Sequence, residues 1–140
     1  MKNVKKITFS AKKYWKNKTF APSALIFYLG ITKKLKNLIH HNLFFDEKIE
    51  TFTKEIYELK SWPKEPLFYV CCPSKTDSSV APEGKENIFI LMPIAIGIKD
   101  DDEIREKYFN IILKRLEKYC NQKIIKYIDY KKSYCIKDFQ

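Results

Sequence analysis

Glycine is scarce in this sequence. The 140 residues contain three glycines, Gly30, Gly84 and Gly97, and they lie far apart. The usual dinucleotide-binding loop needs three glycines within about six residues and a helix directly behind them. These glycines cannot form that loop, so any cofactor-dependent chemistry must obtain its cofactor elsewhere.

The cysteine spacing that begins a zinc site is absent. Of the four cysteines, Cys71 and Cys72 are adjacent, while Cys120 and Cys135 stand alone. Structural zinc sites usually begin with a C-x-x-C pair. The spacing therefore argues against a metal site and against a disulfide framework, and reduced thiols in a cytoplasmic protein are the simpler interpretation.

Histidine occurs only twice, at His40 and His41. Neighbouring side chains of a strand point to opposite faces, so we expect the two rings not to share one metal ion or one substrate atom. A cysteine–histidine nucleophile pair needs a thiol beside one ring, and nothing in the sequence places one there. The favoured interpretation is structural, with one histidine hydrogen-bonded inside and the other exposed.

No apolar run is long enough to cross a membrane. The longest uncharged apolar run, Ile88 to Ile98, is interrupted by Pro93 and Gly97 and is well short of the ~18 residues of a spanning helix. No signal peptide is evident either. The sequence predicts a cytoplasmic location without a membrane span.

Positive charge is in excess, with 27 Lys and Arg against 17 Asp and Glu and a formal net charge of +10. Residues 1–20 contain seven lysines and no acid, and we interpret them as a basic N-terminal arm before one domain, residues 21–140. An anionic membrane surface or nucleic acid suits such an arm, nucleic acid being the less favoured partner. A plain solvated arm is favoured over both.

The apolar pattern of residues 21–140 predicts a long strand and two helices. Ser23–Ile31 is nearly all apolar, which is typical of a strand covered on both faces and central in its sheet. The first helix follows Asp46 as N-cap, and the second follows the acids Asp100 to Glu103, which suit the positive end of the helix dipole. The apolar stripes are Ile49, Phe52, Ile56 and Leu59 in the first helix, and Ile104, Tyr108, Ile111, Ile112, Leu116 and Tyr119 in the second.

Four further segments are predicted as strands. They are Asn42–Phe45, Leu67–Cys72, Asn87–Ala95 and Lys123–Tyr130. The resulting order of elements predicts an α+β fold, with a mainly antiparallel sheet of about five strands covered by two helices. The 14 residues from Pro73 to Glu86 are long beside the ~2–5 of a hairpin loop, so we expect this loop to be functional or packed against a neighbouring segment.

Four longer strings resemble one enzyme family. The strings are APSALIFYLGI (Ala21–Ile31), HHNLFFDE (His40–Glu47), SWPKEPLFYVCCPSKTDSSVAPEGKENIFILMPIA (Ser61–Ala95) and EIREKYFNIILKRLEK (Glu103–Lys118). Together they resemble the phytoene desaturase family of FAD-dependent carotenoid oxidoreductases, its bacterial branch in particular. The resemblance extends in order from about Tyr14 to Phe139, and PSKTDSSVAPEGKEN (Pro73–Asn87) is its most distinctive element.

The resemblance covers only part of such an enzyme. Members of this family are several times longer, and neither of their glycine-rich segments, one for the ADP half of FAD and one near the flavin, has a counterpart here. The resemblance therefore implies a fragment or split half, residues 21–140 being substrate-domain-like. It implies that this chain alone binds no FAD and is inactive in isolation. The chain is then a truncated gene product, a split half that needs a FAD-domain partner chain, or a remnant reused for binding, and the first two are favoured.

The function implied by the resemblance is hydride abstraction from an apolar polyene to FAD in carotenoid biosynthesis, peripheral to the inner face of the membrane that stores the substrate. The alternative is a non-enzymatic module that binds an apolar lipid or a partner protein. No catalytic, cofactor-binding or metal-binding residue can be assigned. The residues favoured for lining a polyene tunnel are Phe27, His41, Phe44, Tyr69 and Phe89, with core packing as the competing interpretation for each.

Apolar residues near both ends of the chain, such as Phe20 and Phe139, would lose their cover without a FAD domain. Large exposed apolar patches promote association. We therefore expect the isolated chain to self-associate despite its positive charge.

Overall fold

The computed structural model describes Lys18 and residues 21–139. Apart from Lys18, the predicted basic arm lies outside the described residues, as does the expectation for Phe20. The elements are β1 (Ser23–Ile31), β2 (His41–Phe44), α1 (Ile49–Tyr57), β3 (Phe68–Cys71), β4 (Glu86–Ile94), α2 (Asp102–Cys120) and β5 (Ile128–Tyr134). Their order is the predicted one, and the α+β fold class is confirmed.

The five strands form one sheet in the order β2-β3-β4-β1-β5. Every neighbouring pair is antiparallel, including the predicted pair β3 and β4. At the centre, β1 and β4 pair over their whole length, from Ser23 opposite Ile94 to Ile31 opposite Glu86. The position of β1 inside the sheet agrees with its apolar sequence.

The sheet buries one face against α2 and leaves the other partly open. Alternate residues of β4, from Glu86 to Ile94, are buried, and those between them are half-buried. On the buried face, Phe27 of β1 contacts Phe109 of α2, with ring centroids 5.2 Å apart. The prediction that β1 is covered on both faces is wrong, because Tyr28 lies on the open face and is 44% exposed.

Helix α2 begins with the predicted acidic cap. Asp101 is the N-cap residue, and its carboxylate accepts a hydrogen bond from the N–H of Ile104 at 2.8 Å. Asp100 has another role, since its buried carboxylate pairs with the Arg105 guanidinium at 2.7 Å. Arg105, predicted on the solvent side, is therefore largely buried. The helix ends at Asn121, which adopts the left-handed conformation typical of such ends.

The apolar stripe of α2 is confirmed at its centre and wrong at its end. Tyr108, Ile112 and Leu116 are buried as predicted, but Tyr119 is 46% exposed. The buried residues that the prediction missed are Phe109, Leu113 and Cys120. The buried surface of the helix is therefore wider than a single stripe of residues spaced three or four apart.

Helix α1 begins later than predicted. Its N-cap is Lys48, without a side-chain cap, and Asp46 instead binds the guanidinium of Arg115 on α2. Phe52 and Ile56 are buried, whereas Ile49 is half exposed and Leu59, beyond the end of the helix, is 60% exposed. A helix this short contacts the core through one turn, which explains why only the central half of its predicted stripe is buried.

The predicted strand Lys123–Tyr130 is wrong in its first half. Residues Ile125–Tyr127 form a 3-10 turn, and β5 extends instead from Ile128 to Tyr134. The carboxylate of Glu117 accepts hydrogen bonds from the backbone N–H groups of Ile124 and Ile125. These side-chain hydrogen bonds hold the chain just before the turn, and the apolar pattern of the segment does not encode them.

The loop between β3 and β4 is packed against the strand that follows it. Ser74 donates its N–H to the Asn87 side chain, and the Asn87 N–H donates to the Ser74 hydroxyl, both at 3.3 Å. The Asn87 amide also donates to the carbonyl of Val80 at 3.1 Å. We expected this loop to be functional or packed against a neighbouring segment, and the structure shows that it is packed.

Candidate functional site

The face of the sheet turned away from α2, called here the open face, is built from alternate residues of all five strands. Cross-strand pairing places His41 opposite Cys71, Cys71 opposite Phe89, and Phe89 opposite Tyr28. A second row consists of Leu43, Tyr69, Leu91, Ile26 and Tyr134. On β5 the first row ends at the exposed Lys132, the partner of Tyr28. Strand alternation thus presents one mixed row and one apolar and aromatic row on the same surface.

Five rings on the open face contact one another in sequence across the sheet. The successive centroid distances are 6.0 Å for His41–Tyr69, 6.3 Å for Tyr69–Phe89, 5.3 Å for Phe89–Tyr28 and 5.9 Å for Tyr28–Tyr134. These spacings are within the range of aromatic pair contacts. We call this series, from β2 to β5, the aromatic ladder.

A shallow groove continues the aromatic ladder at the β5 edge. Its volume is about 450 Å³, and its lining residues are Ile26, Tyr28, Tyr130, Tyr134 and Phe139. Tyr130 and Phe139 are more than half exposed. The groove therefore offers an apolar surface at the end of the ladder.

The structure brings three of the five sequence-predicted lining residues together on the open face, namely His41, Tyr69 and Phe89. Phe27 and Phe44 lie on the opposite face and are at most 8% exposed. They pack as core residues, Phe27 against Phe109 and Phe44 against Phe68. These two side chains are therefore separated from the others by the sheet itself.

Sequence reasoning missed Tyr28 and Tyr134, which complete the ladder. The signal for Tyr28 was its period-two spacing from Ile26, but the uniform apolarity of β1 hides which face is buried. Tyr134 lies beyond the predicted end of the last strand, so no strand pattern pointed to it.

A polar cluster of His40, His41, Tyr69, Cys71 and Thr76 lies where the open face meets the β2 edge. Nδ1 of His40 lies 2.5 Å from the Thr76 hydroxyl, and Nδ1 of His41 lies 2.6 Å from the Tyr69 hydroxyl. The two imidazole centroids are 4.2 Å apart. Hydrogen bonding to Cys71, with a contribution from burial, raises the pKa of the Tyr69 phenol.

The expectation that the two histidines point apart is wrong. His40 precedes β2, so the alternation of strand side chains does not apply to it. The sequence left open whether a cysteine lies beside either ring, and the structure places Cys71 there as the cross-strand partner of His41. One ring nitrogen of each histidine and the Cys71 sulfur all lie within 4.8 Å of one another.

The three glycines of this chain do not form a loop that could bind the FAD pyrophosphate. Gly30 lies inside β1, where an added Cβ would be 2.8 Å from the Asp129 carboxylate, so this position is filled by protein. Gly84 and Gly97 have φ values of 74° and 73° and lie in separate turns. Within the described part of the chain all strand pairs are antiparallel, whereas the FAD pyrophosphate needs a parallel strand–turn–helix unit.

Within residues 21–139, neither α1 nor α2 combines the length and the apolarity needed to cross a bilayer.

The chain matches curated relatives over most of its length. It is 39% identical over 126 residues to a carotenoid 3,4-desaturase of Haloarcula japonica, which covers 90% of this chain and 26% of that protein. It is 30% identical over 117 residues to a 4,4'-diapolycopen-4-al dehydrogenase of Metabacillus indicus, 84% of this chain and 24% of the relative.

A third relative bears the name suggested by the sequence strings. The zeta-carotene-forming phytoene desaturase of Myxococcus xanthus is 33% identical over 96 residues, 64% of this chain and 18% of that protein. No protein-family model matches the chain. The chain spans about a quarter or less of the length of these relatives, and within that span it belongs to the phytoene desaturase family.

Proposed function

We propose that this chain supplies the polyene-binding sheet of a carotenoid desaturase-like oxidoreductase. The observation that carries the proposal is the aromatic ladder, which crosses all five strands on the face turned away from α2. Two of the relatives are named as desaturases of carotenoids or phytoene, and their substrates are extended apolar chains.

The ladder has the shape that such a ligand requires. A polyene hydrocarbon has no hydrogen-bonding group, so it is held by apolar contact and by stacking on rings. Neighbouring strands lie about 4.8 Å apart, which makes five strands about 19 Å wide. The ladder is therefore a long and narrow apolar track, suited to an extended chain rather than to a compact ligand.

FAD is the hydride acceptor of this family, and we assign it to a part that this chain does not contain. The glycine positions support that assignment, since none has the surroundings of a pyrophosphate loop. This chain binds the polyene, aligns it perpendicular to the strands and keeps water away from it. A FAD-domain partner chain or a covalently joined FAD segment would complete the oxidoreductase.

Polyene binding is tested with the full chain and lycopene in detergent micelles. Lycopene is achiral, so an induced circular dichroism band in its visible absorption reports a bound, asymmetric geometry. We expect the double variant Tyr28→Ala/Phe89→Ala to lose at least tenfold in affinity, because it interrupts the ladder at its centre. Tyr57→Ala is the matched control, since Tyr57 is 49% exposed on α1 and Tyr28 is 44% exposed.

The possible results distinguish polyene binding in an oxidoreductase from the alternative of a non-enzymatic lipid-binding module. No induced band, or equal affinity in the ladder variant and the Tyr57 control, contradicts polyene binding by the open face. If the chain binds lycopene but yields no desaturated product when co-expressed with the FAD-binding part of the Haloarcula relative, the non-enzymatic lipid-binding module becomes the better interpretation.

We also propose that the chain contacts the membrane surface from the cytoplasmic side. Ile39, Leu43 and Phe45, around the β2 edge, are each more than half exposed, and the excess of lysine favours anionic lipid. Co-sedimentation with phosphatidylglycerol vesicles tests this, and we expect Leu43→Asp/Phe45→Asp to reduce it. Equal recovery of the variant and the native chain would contradict the proposal.

A further inference from the structure

We propose that His40, His41 and Cys71 form a binding site for a zinc-type divalent cation at the β2 edge of the open face. Their ligating atoms lie within 4.8 Å of one another. The inference is independent of the proposed function, because binding a hydrocarbon requires no cation.

The backbone holds the three residues in place. His41 and Cys71 are directly opposite each other in the antiparallel pair of β2 and β3. The carbonyl of His40 accepts a hydrogen bond from the N–H of Cys72 at 2.8 Å, which fixes His40 beside the same pair. Two strands thus support the cluster, and it does not depend on a long flexible loop.

The spacing is close to that of a tetrahedral site. Zinc–nitrogen bonds of about 2.0–2.1 Å and zinc–sulfur bonds of about 2.3 Å place ligand atoms about 3.3–3.6 Å apart. Side-chain rotations of about 1 Å bring the observed cluster to that geometry. His41 is exposed, and His40 and Cys71 are half-buried, so these rotations meet little packing resistance.

The hydrogen bonds of the two rings match the surroundings of metal-bound histidines. In metal sites, the second ring nitrogen usually has its own hydrogen-bond partner, which orients the ring. Here both Nδ1 atoms contact hydroxyls, those of Thr76 and Tyr69. Within the described part of the chain no hydrogen bond engages either Nε2, so both remain available to a cation.

Ligand chemistry selects the cation class. Two imidazoles and one thiolate suit zinc and related transition metals, whereas calcium and magnesium prefer oxygen ligands. The Cys71 thiol loses its proton to solvent when the metal–sulfur bond forms. Three protein ligands leave a fourth position for water, which is the open arrangement found in zinc sites that exchange ligands.

The test is a titration of the untagged full chain with Zn²⁺ by calorimetry and with Co²⁺ by absorption spectroscopy. We expect one equivalent to bind, and bound Co²⁺ to show a thiolate-to-metal charge-transfer band. His41→Ala and Cys71→Ser each remove the tight binding. Tyr69→Phe, which removes the partner of the His41 ring, weakens it by about 10–100-fold.

Tyr130→Phe is the matched control for Tyr69→Phe, because Tyr130 lies on the open face at the opposite edge of the sheet. It should bind Zn²⁺ like the native chain, and urea unfolding shows whether each variant is folded. Absence of binding by the native chain overturns the proposal. So does binding that His41→Ala and Cys71→Ser leave unchanged, since the cation then occupies other residues.

Discussion

The ammonium of Lys75 lies 2.6 Å from the Glu86 carboxylate, whose side chain is fully buried beneath the loop between β3 and β4. The Lys75 ammonium also donates to the carbonyl of Leu35 at 2.5 Å. The second Glu86 oxygen accepts the backbone N–H of Leu35 at 2.9 Å. One lysine therefore joins the loop, the start of β4 and the connection after β1.

Lys75→Met should destabilise the chain by about 3 kcal/mol, because it removes the nearer of the two charge partners of the buried Glu86 carboxylate. Urea unfolding measures the change. Lys34→Met is the control, since the Lys34 ammonium is 3.9 Å from the same carboxylate and its side chain is 54% exposed. We expect the control to cost less than about 1 kcal/mol. Equal losses of stability in the two variants would show that Lys75 is not the main charge partner of Glu86.

Ile112→Asp should unfold the chain or destabilise it by about 4 kcal/mol or more, since Ile112 of α2 is fully buried in the core and the new charge would have no partner. Lys114→Asp, two residues away at an exposed position, should change stability by less than about 0.5 kcal/mol. Urea midpoints measure both. Similar midpoints would mean that the buried side of α2 is misassigned.

Asp100→Asn should abolish part of the acid sensitivity of the fold. A hydrogen bond from Arg105 is the main reason that the pKa of Asp100 is lowered from 3.8 to about 2. Because the folded-state pKa is the lower one, the stabilisation is present above about pH 4 and is lost as the pH falls towards 2. It amounts to about 2 kcal/mol.

Urea unfolding of the native chain and of Asp100→Asn at pH 7 and pH 2 tests this. The variant should be about 2 kcal/mol less stable at pH 7 and nearly equal at pH 2. Asp102→Asn, which changes an exposed acid of the same turn, should show no such convergence. A constant difference at both pH values contradicts the assigned role of Asp100.

The purified chain should show no flavin absorbance, because the positions of Gly30, Gly84 and Gly97 do not fit a pyrophosphate loop. Visible spectra after gel filtration in added FAD measure retention. One equivalent of retained FAD would reveal a cofactor site built without glycine-rich turns.

The isolated chain should self-associate and bind a hydrophobic dye in its native state, because the open face and the β5 groove leave apolar rings exposed. Tyr28→Lys/Tyr134→Lys should reduce both signals severalfold, whereas Tyr57→Lys on α1 should not. Dye fluorescence and light scattering measure the effects. A monodisperse native chain that binds no dye contradicts the expectation.

The sequence predicted the helices and strands better than it predicted which of their surfaces are buried. Period-two and helical spacing placed the seven elements in their observed order, because those periods follow from local backbone geometry. The start of β5 was missed because the residues before it form hydrogen bonds to the Glu117 side chain and a 3-10 turn, which an apolar pattern does not show. The open face of β1 was missed because both of its faces are apolar, so its pattern does not show which one α2 covers.

The polar cluster could not be predicted because it depends on strand register. His41 and Cys71 become partners only through the pairing of β2 with β3, and the intervening α1 and connection hide that pairing in the sequence. His40 joins them because it lies just before the start of β2. The hydrophobic period of a sequence defines such a strand boundary only to within a few residues.

The strand order also has a consequence for how the chain folds during synthesis. Ser23 pairs with Ile94, and Tyr28 pairs with Lys132, so β1 leaves the ribosome long before either of its neighbours exists. Contacts this distant along the chain slow folding. In the interval, an apolar strand has two unpaired edges and is prone to aggregate. Nascent β1 therefore stays exposed to aggregation until β4 and β5 have been synthesised.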